Sequence, residues 1–579
     1  MAIRDQYNGA LSHIRWPSAR FTISLGALLA VSVLVLIPLV VLVITSFRPD
    51  GLLPFDAGPL TLENYAELGS SGSSVRLFIN TLIYAGGSLA VGLPIALGLA
   101  FLTERTDLPG RNTFYTILIM AMAMPIFATA VGWIILAGPR AGILNSYFRF
   151  FTGSSASSGP LNTFSMPGMV FVTGIAIVPP MWLLLASVVR NMDPALEEAA
   201  ATSRVGRFGS LRRITIPLMR PGIAAVAVYY TIGIIESFEI PLAIGLPAGI
   251  EVLSTKIYSI VTAEEEEALA FGGAAALGVA AAAFVFVGIL AYLRLVKQAS
   301  RYAIITGKAY RPKLLLLGRW KYVALALVLL YILVGQILPL SSVLYTSLLN
   351  FYAPPVPGNF GNISWTFDNY TQLLDSKTFT RAIRNTVIVV VAAATITMLL
   401  VTVISWCAVR IRGLMPYTAN VMTFIPLAIP GVITTLAFLL LFIGTPLYGT
   451  LALLVFAFTA RYLSYTARLM YAAQLQLHKE LEEVAYTSGA GVVTTFFYVT
   501  LRLLLPAFAN GWLWVVTHAA RDFVTPVLLA TSGTVLLANL MWSNYTAGRQ
   551  PESSAVIMVL IVLLGIMAFL SRRFVRSVE

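Results

Sequence analysis

The residues able to do chemistry in this chain are few, and most lie in stretches that exclude water. IESFEIPLA carries Glu236, Ser237 and Glu239, and THAARDFVTPVLL carries Arg521 and Asp522. A third apolar run holds Arg461 and Arg468. A charge inside hydrocarbon is costly, so it faces a cavity or a partner. The chemistry that suits such residues is recognition and passage of a charged solute. Pro241 and Pro526 align at an offset of 285, which sets Glu236 opposite Arg521. Two compatible readings follow: a salt bridge between Glu236 and Arg521, or a direct place in a pathway or gate. Arg461 is a further pathway candidate, while Arg468 can snorkel.

Bond-making chemistry finds no support. The three histidines, His13, His478 and His518, are far apart, and the one cysteine, Cys407, sits in an apolar run. That pattern offers no zinc-ligand spacing, no disulfide within the chain and no clustered nucleophile and base. No catalytic residue and no metal ligand is expected, and an enzyme is not. A Gly-x-x-x-x-Gly-Lys-Ser/Thr phosphate loop is also missing, so any ATP hydrolysis must come from elsewhere.

Two polar segments stand out against this background. One begins at Leu196 and reads LEEAAATSRVGRFGSLRRITIP; the other begins at Leu481 and reads LEEVAYTSGAGVVTTFFYVTLR. Asp193 can cap a helix, Pro194 fits its first position, and Glu197 and Glu198 favour its positive end. Gly206 and Gly209 permit a bend, and Pro217 and Pro221 lead into the next apolar run. A short helix, a turn and a second short helix along the membrane face are predicted. One such segment alone could be an ordinary interfacial helix. Two at equivalent places suit a grip on a two-fold partner. The run Glu264 to Glu267 could attract ferric iron or a basic surface, but charge runs are more often solvated helix starts, and that reading is preferred.

The elements that position these residues are membrane helices. The chain has 579 residues, 58% hydrophobic and 11% charged, against about 25% charged in soluble proteins. Its continuous apolar runs predict spans near 22–47, 77–103, 113–137, 167–190, 221–246 and 270–296, then 320–349, 384–410, 416–443, 449–474, 506–530 and 553–571. The first run is too long for a cleavable signal and is expected to be retained. With the N-terminus in the cytoplasm, inward gaps hold 26 of 38 basic residues and outward gaps nine, so both termini are expected in the cytoplasm. The net charge of +13 is explained by those loops and calls for no nucleic acid.

The halves repeat. LTLENY, ending at Tyr65, precedes Asn80-Thr81, and WTFDNY, ending at Tyr370, precedes Asn385-Thr386, an offset of 305 shared by Arg105 with Arg410 and Pro125 with Pro430. The offset of 285 at the polar segments is explained by an insertion, FTGSSASSGP, in the outward loop 138–166. Six spans per half give parallel repeats with a pathway between them. The expected domains are 1–296, a basic cytoplasmic linker 297–319, and 320–579.

The polar segments, within 193–220 and 478–505, resemble the EAA loop of bacterial ABC importer permeases: EAA, three residues, Gly, nine residues, Ile-x-Leu-Pro. Glu198, Ala199 and Ala200 match in the first copy, as do Ile214, Ile216 and Pro217, while Arg204 stands at the Gly position with Gly206 two residues later. Glu483, Ala485 and Gly489 match in the second, with Glu482 preceding them and Arg502 at the Pro position. The whole chain is similar to fused permeases of the ferric-iron, thiamine and aminoethylphosphonate type. That resemblance implies an all-α type I importer fold of twelve helices in a bacterial inner membrane. It implies two ABC ATPase subunits carrying ATP and Mg, docked on the two loops, and a periplasmic or extracellular binding protein that delivers solute. Ferric iron is the family's default cargo, with a phosphonate, thiamine or organic anion as the alternative. An ion-coupled secondary transporter also suits twelve spans, but paired EAA-like loops argue against it. The two departures imply unequal ATPase contacts, and Arg502 predicts a gentler turn into span 11.

Overall fold

A computed structural model describes residues 19–190, 209, 216–262, 270–300 and 314–578. Among them the chain is helical, with isolated bridges in place of strands. Seven uninterrupted helices are long and apolar enough to cross a membrane. They are span 1 (Ala19–Ser46), span 2 (Gly72–Arg105), span 5 (Ile216–Ile235), span 6 (Phe271–Leu295), span 7 (Trp320–Ser347), span 8 (Lys377–Arg410) and span 12 (Gln550–Met567). Four more are bent: span 3 (Arg111–Ala121 with Ile126–Ala137, 98°), span 4 (Met166–Ala176 with Val178–Arg190, 49°), span 9 (Leu414–Ala428 with Gly431–Phe442, 111°) and span 11 (Val492–Leu503 with Leu505–Ala520, 72°). Span 10 (Leu451–Gln476) completes twelve.

The sequence expects spans 3 and 9 to be continuous, and both break at the paired prolines. Pro125 and Pro430 have extended backbones, with ψ of 134° and 140°, and each starts the following helix. Proline has no N–H for the preceding turn and its ring crowds that turn, so the helix stops there and restarts. Span 5 is shorter than expected. It ends at Ile235, and the chain folds back as a hairpin of short helices, Pro241–Ala248 and Leu253–Val261, at 77°. The second half repeats this with Val524–Leu529 and Leu537–Thr546. Spans 1 and 7 stay whole despite Pro38 and Pro339 because each widens into a π turn just before the proline, at Ser32–Leu36 and Leu333–Ile337.

The repeated motifs are anchors. Asn64 Nδ2 donates to Ser46 O at 3.0 Å and Arg48 O at 2.7 Å, satisfying carbonyls at the end of span 1, and Asn369 does the same at Ser347 O, 3.0 Å, and Leu349 O, 2.7 Å. Tyr65 and Tyr370 hydroxyls sit 2.7 Å from Ser46 and Ser347 Oγ. Thr81 Oγ1 accepts from Leu253 N at 3.1 Å and Thr386 Oγ1 from Leu537 N at 3.0 Å. Asn80 donates to Glu251 O at 3.2 Å and Asn385 to Val535 O at 3.1 Å. Each Asn-Thr pair thus holds the hairpin of its own half.

The first span of each half crosses to the other half. Ala27, Val31 and Val35 pack with Met398, Val401, Ile404 and Met422. Ser342 Oγ of span 7 donates to Gly132 O at 3.0 Å. An added Cβ at Gly132 would lie 2.5 Å from Pro339 O, whereas one at Gly26 would meet nothing within 4 Å. Gly132→Val is therefore expected to destabilise the detergent-extracted chain by about 1–3 kcal/mol, read as a lower thermal midpoint, with Gly26→Val as the neutral control. Equal midpoints would show that the halves can part at this contact without loss.

Candidate functional site: membrane charges and the second polar segment

Asp522 sits where span 11 ends and the next short helix begins. Its Oδ1 accepts from Thr525 N at 3.0 Å, a carboxylate satisfying a first-turn amide. Its Oδ2 lies 2.7 Å from Arg461 Nε and accepts from Tyr462 OH at 2.9 Å. The Asp522 side chain is 2% exposed and that of Arg461 27%. The Arg461 guanidinium lies against Gly431, the first residue after Pro430; a Cβ there would collide with Nη1. A larger residue at Gly431 would displace the guanidinium from this position. Arg461 Nη1 is buried and has no hydrogen-bond partner among the described residues.

Glu236 and Glu239 are half-buried at the break after span 5. Both lie within reach of the Arg461 charge, and Glu239 also faces Asp522. Ser237 is occupied structurally: its Oγ is 2.8 Å from Tyr84 OH, which also contacts Thr173 Oγ1 at 2.7 Å, and its carbonyl accepts from Ser254 Oγ at 2.6 Å.

The expected Glu236–Arg521 salt bridge does not form. Arg521 Nη1 instead donates to Met122 O in the first half. The physical reason is the break before Pro125, which frees the Met122 carbonyl from its helix. Arg461 and Asp522 make the ion pair, and both belong to the second half. Tyr462 and Gly431 were missed by sequence reasoning. Their only signals are adjacency: Tyr462 follows a charged span residue, and Gly431 follows a helix-breaking proline.

The second polar segment opens with the helix Glu480–Thr487. Gly489 follows with φ of +83°, a left-handed turn that favours glycine. Glu482 and Glu483 part company here. Glu482 turns inward, its Oε1 3.1 Å from Arg410 Nε and accepting from Thr500 Oγ1 at 2.9 Å, while Arg410 Nη2 donates to Leu477 O at 2.9 Å. Glu483 is exposed beside Lys479 at 3.6 Å, on a surface shared with exposed Leu481 and Val484. Ala485 is half-buried. The turn into span 11 is sharper than Arg502 predicts: the 72° corner is made by Pro506, four residues on. Arg502 stacks on Tyr498, 5.4 Å from the ring centre. Glu197, Glu198, Ala199, Ala200, Arg204, Gly206 and Glu264 to Glu267 lie outside the described residues.

Residues 92–301 and 401–578 each match the family described as "Binding-protein-dependent transport system inner membrane component". The chain is 24% identical over 560 residues to the ferric transport system permease protein FbpB of Actinobacillus pleuropneumoniae, covering 93% of this chain and 76% of that one. It is 28% identical over 216 residues to the putrescine transport system permease protein PotI of Escherichia coli K12, covering 36% and 76%. A bacterial ABC transporter that imports alginate aligns with 43% of this chain and 86% of its own at 21% identity, with a TM-score of 0.36.

Proposed function

The chain belongs to the family of binding-protein-dependent transport system inner membrane components, and from that premise we propose that it carries ferric iron inward between its two fused halves, driven by ATPase subunits docked on its two polar segments. The observation that carries this reading is the double family match in one chain, joined to a likeness to a ferric permease along 93% of its length. A two-domain ABC importer permease of this family is a multi-pass inner-membrane protein and not itself an enzyme; ATP and Mg would reside on the partners. The excess of basic residues in the loops supports a cytoplasmic position for the ends of spans 2, 4, 8 and 10 and for both termini. The exposed face of Leu481, Glu483 and Val484 is then the docking surface of the second segment, and Glu482 positions it from within. A binding protein would deliver cargo at the opposite end.

Among the described residues no three His, Cys, Asp or Glu side chains converge to hold a metal ion. Iron would pass Glu236 and Glu239 without a ligand cage formed by the described residues. A second reading, a small organic anion, is favoured by one feature, the unpartnered buried Nη1 of Arg461.

The test is ATP-driven uptake. The chain is purified with its ATPase, placed in proteoliposomes and supplied with cargo-loaded binding protein. Accumulation of radioactive ferric iron is expected, absent without ATP. Accumulation of an anionic solute with no movement of iron would replace the first reading by the second.

A further inference from the structure

Six aromatic rings meet between the halves, level with Thr81 and Thr386 and away from the polar segments. Phe127 stacks on Phe523 at 4.6 Å and meets Trp542 and Tyr545 edge-on at 6.1 and 5.7 Å. Phe238 lies 6.3 Å from Phe523 and 5.5 Å from Tyr258. Trp542 Nε1 donates to Tyr258 OH at 3.3 Å. Phe127, Phe238 and Phe523 are 1%, 0% and 1% exposed.

Two of these contacts join repeat counterparts. Phe238 and Phe523 differ by 285 positions, the offset of Pro241 and Pro526. Tyr258 and Trp542 differ by 284, the offset of Leu253 and Leu537, whose amides rest on Thr81 and Thr386. A residue that touches its own counterpart lies on the axis relating the repeats, and a solute path between two parallel halves runs along that axis. The cluster therefore occupies the path itself.

We propose, resting on the importer reading above, that these rings are the closed seal of the solute pathway on the binding-protein side, and that the seal opens when the two hairpins separate across the pseudo-two-fold axis. Three features suit the task. The rings meet largely by apolar contact, which excludes water and ions without a charge that would hold a charged solute. Each hairpin is held to its own half by the Asn80-Thr81 or Asn385-Thr386 pair, and among the described residues only two long hydrogen bonds, Trp542 to Tyr258 at 3.3 Å and Tyr545 to Ala243 O at 3.5 Å, join hairpin to hairpin, so relative motion of the halves carries one away from the other. Glu236, Glu239, Arg521 and Asp522 flank Phe238 and Phe523 in sequence, so a charged solute passing the rings meets those groups next. Phe127 has no ring counterpart, since the offset of 305 leads to Val432. Tyr545 has none either, since the offset of 284 leads back to Val261, so each half adds one unmatched ring, Phe127 from span 3 and Tyr545 from the second hairpin.

The test uses the complete transporter in proteoliposomes without ATP and measures efflux of an entrapped small ion. Phe238→Ala with Phe523→Ala is expected to raise efflux about ten-fold or more, because losing an aromatic pair shifts the closed equilibrium by that order. Phe238→Leu with Phe523→Leu keeps the apolar plug and is expected to remain near the parent. A tight alanine variant that still takes up solute with ATP would overturn the seal. Leak in the alanine variant with no ATP-driven uptake by the parent would leave the seal standing and remove the importer reading. A trap covers misfolding of the alanine variant. In a Cys407→Ser background, Tyr258→Cys with Trp542→Cys is expected to be bridged by a bifunctional methanethiosulfonate, whose span replaces that of the two rings, and the cross-link is expected to stop uptake, with recovery on reduction. Full uptake by the cross-linked protein would equally overturn the proposal.

Discussion

Asp522→Leu is expected to abolish uptake and to destabilise the chain by about 3–5 kcal/mol, the usual consequence of removing one partner from a buried ion pair. The carboxylate is nearly inaccessible and satisfies three donors at once: Arg461 Nε, Tyr462 OH and Thr525 N. Leucine leaves a guanidinium in an apolar span without its one partner at ion-pair distance, with only the more distant Glu236 and Glu239 to offset its charge. Arg461→Met with Asp522→Leu removes both charges and is expected to regain most of the stability, since well-packed apolar replacements of buried pairs are often neutral or better. Uptake separates structure from transport. If Arg461 touches the solute, the double variant folds but stays inactive. If the pair only shapes the site, uptake returns with stability. Thermal midpoints and ATP-driven uptake on the same preparations read both, and a parental midpoint for Asp522→Leu would show that the pair is solvated.

The adjacent glutamates of the second polar segment should fail in opposite ways. Glu483→Lys is expected to leave the thermal midpoint unchanged, because an exposed pair with Lys479 contributes about 1 kcal/mol at most. Its effect falls on the partner: ATP hydrolysis continues and uptake drops several-fold, an uncoupled phenotype. Glu482→Gln is expected to lower the midpoint first, since it takes the charge from a buried pair with Arg410 that also ties down Leu477 and Thr500. Charge reversal at Glu198, the Glu483 counterpart, is expected to uncouple to a different extent because the first segment has Arg204 where the second has Gly489. ATPase rate and uptake measured side by side decide this. Equal, negligible effects at Glu198 and Glu483 would remove the docking surface from the account.

Period and repetition made the fold legible. Apolar runs marked the spans, and Asn80-Thr81 with Asn385-Thr386 marked the repeat before any role could be given to them. Their role depends on a hairpin whose place no local pattern announces, because Pro241 and Pro526 read equally well as the end of a longer span. Pro125 and Pro430 were visible as a pair, yet a proline inside an apolar run can kink a helix or end it, and packing decides which. The charges were legible as types but not as partners. Aligning Glu236 with Arg521 places them symmetrically about the axis, and symmetry does not imply contact. Arg461 instead sits on neighbouring span 10, where it finds Asp522 through the tertiary fold. Glu482 and Glu483 were indistinguishable as text; only the position of Arg410 makes one a buried anchor.

The crossing of spans 1 and 7 has a consequence for how the protein is made. Val31 packs in a cluster with Val401, a residue 370 positions later. At about 5–20 residues per second, the ribosome needs roughly 20–75 s to supply that neighbour. Span 1 must wait in the lipid for that time with its eventual contact face bare. The first half is thus inserted long before it can be finished, and the two halves mature together rather than in turn.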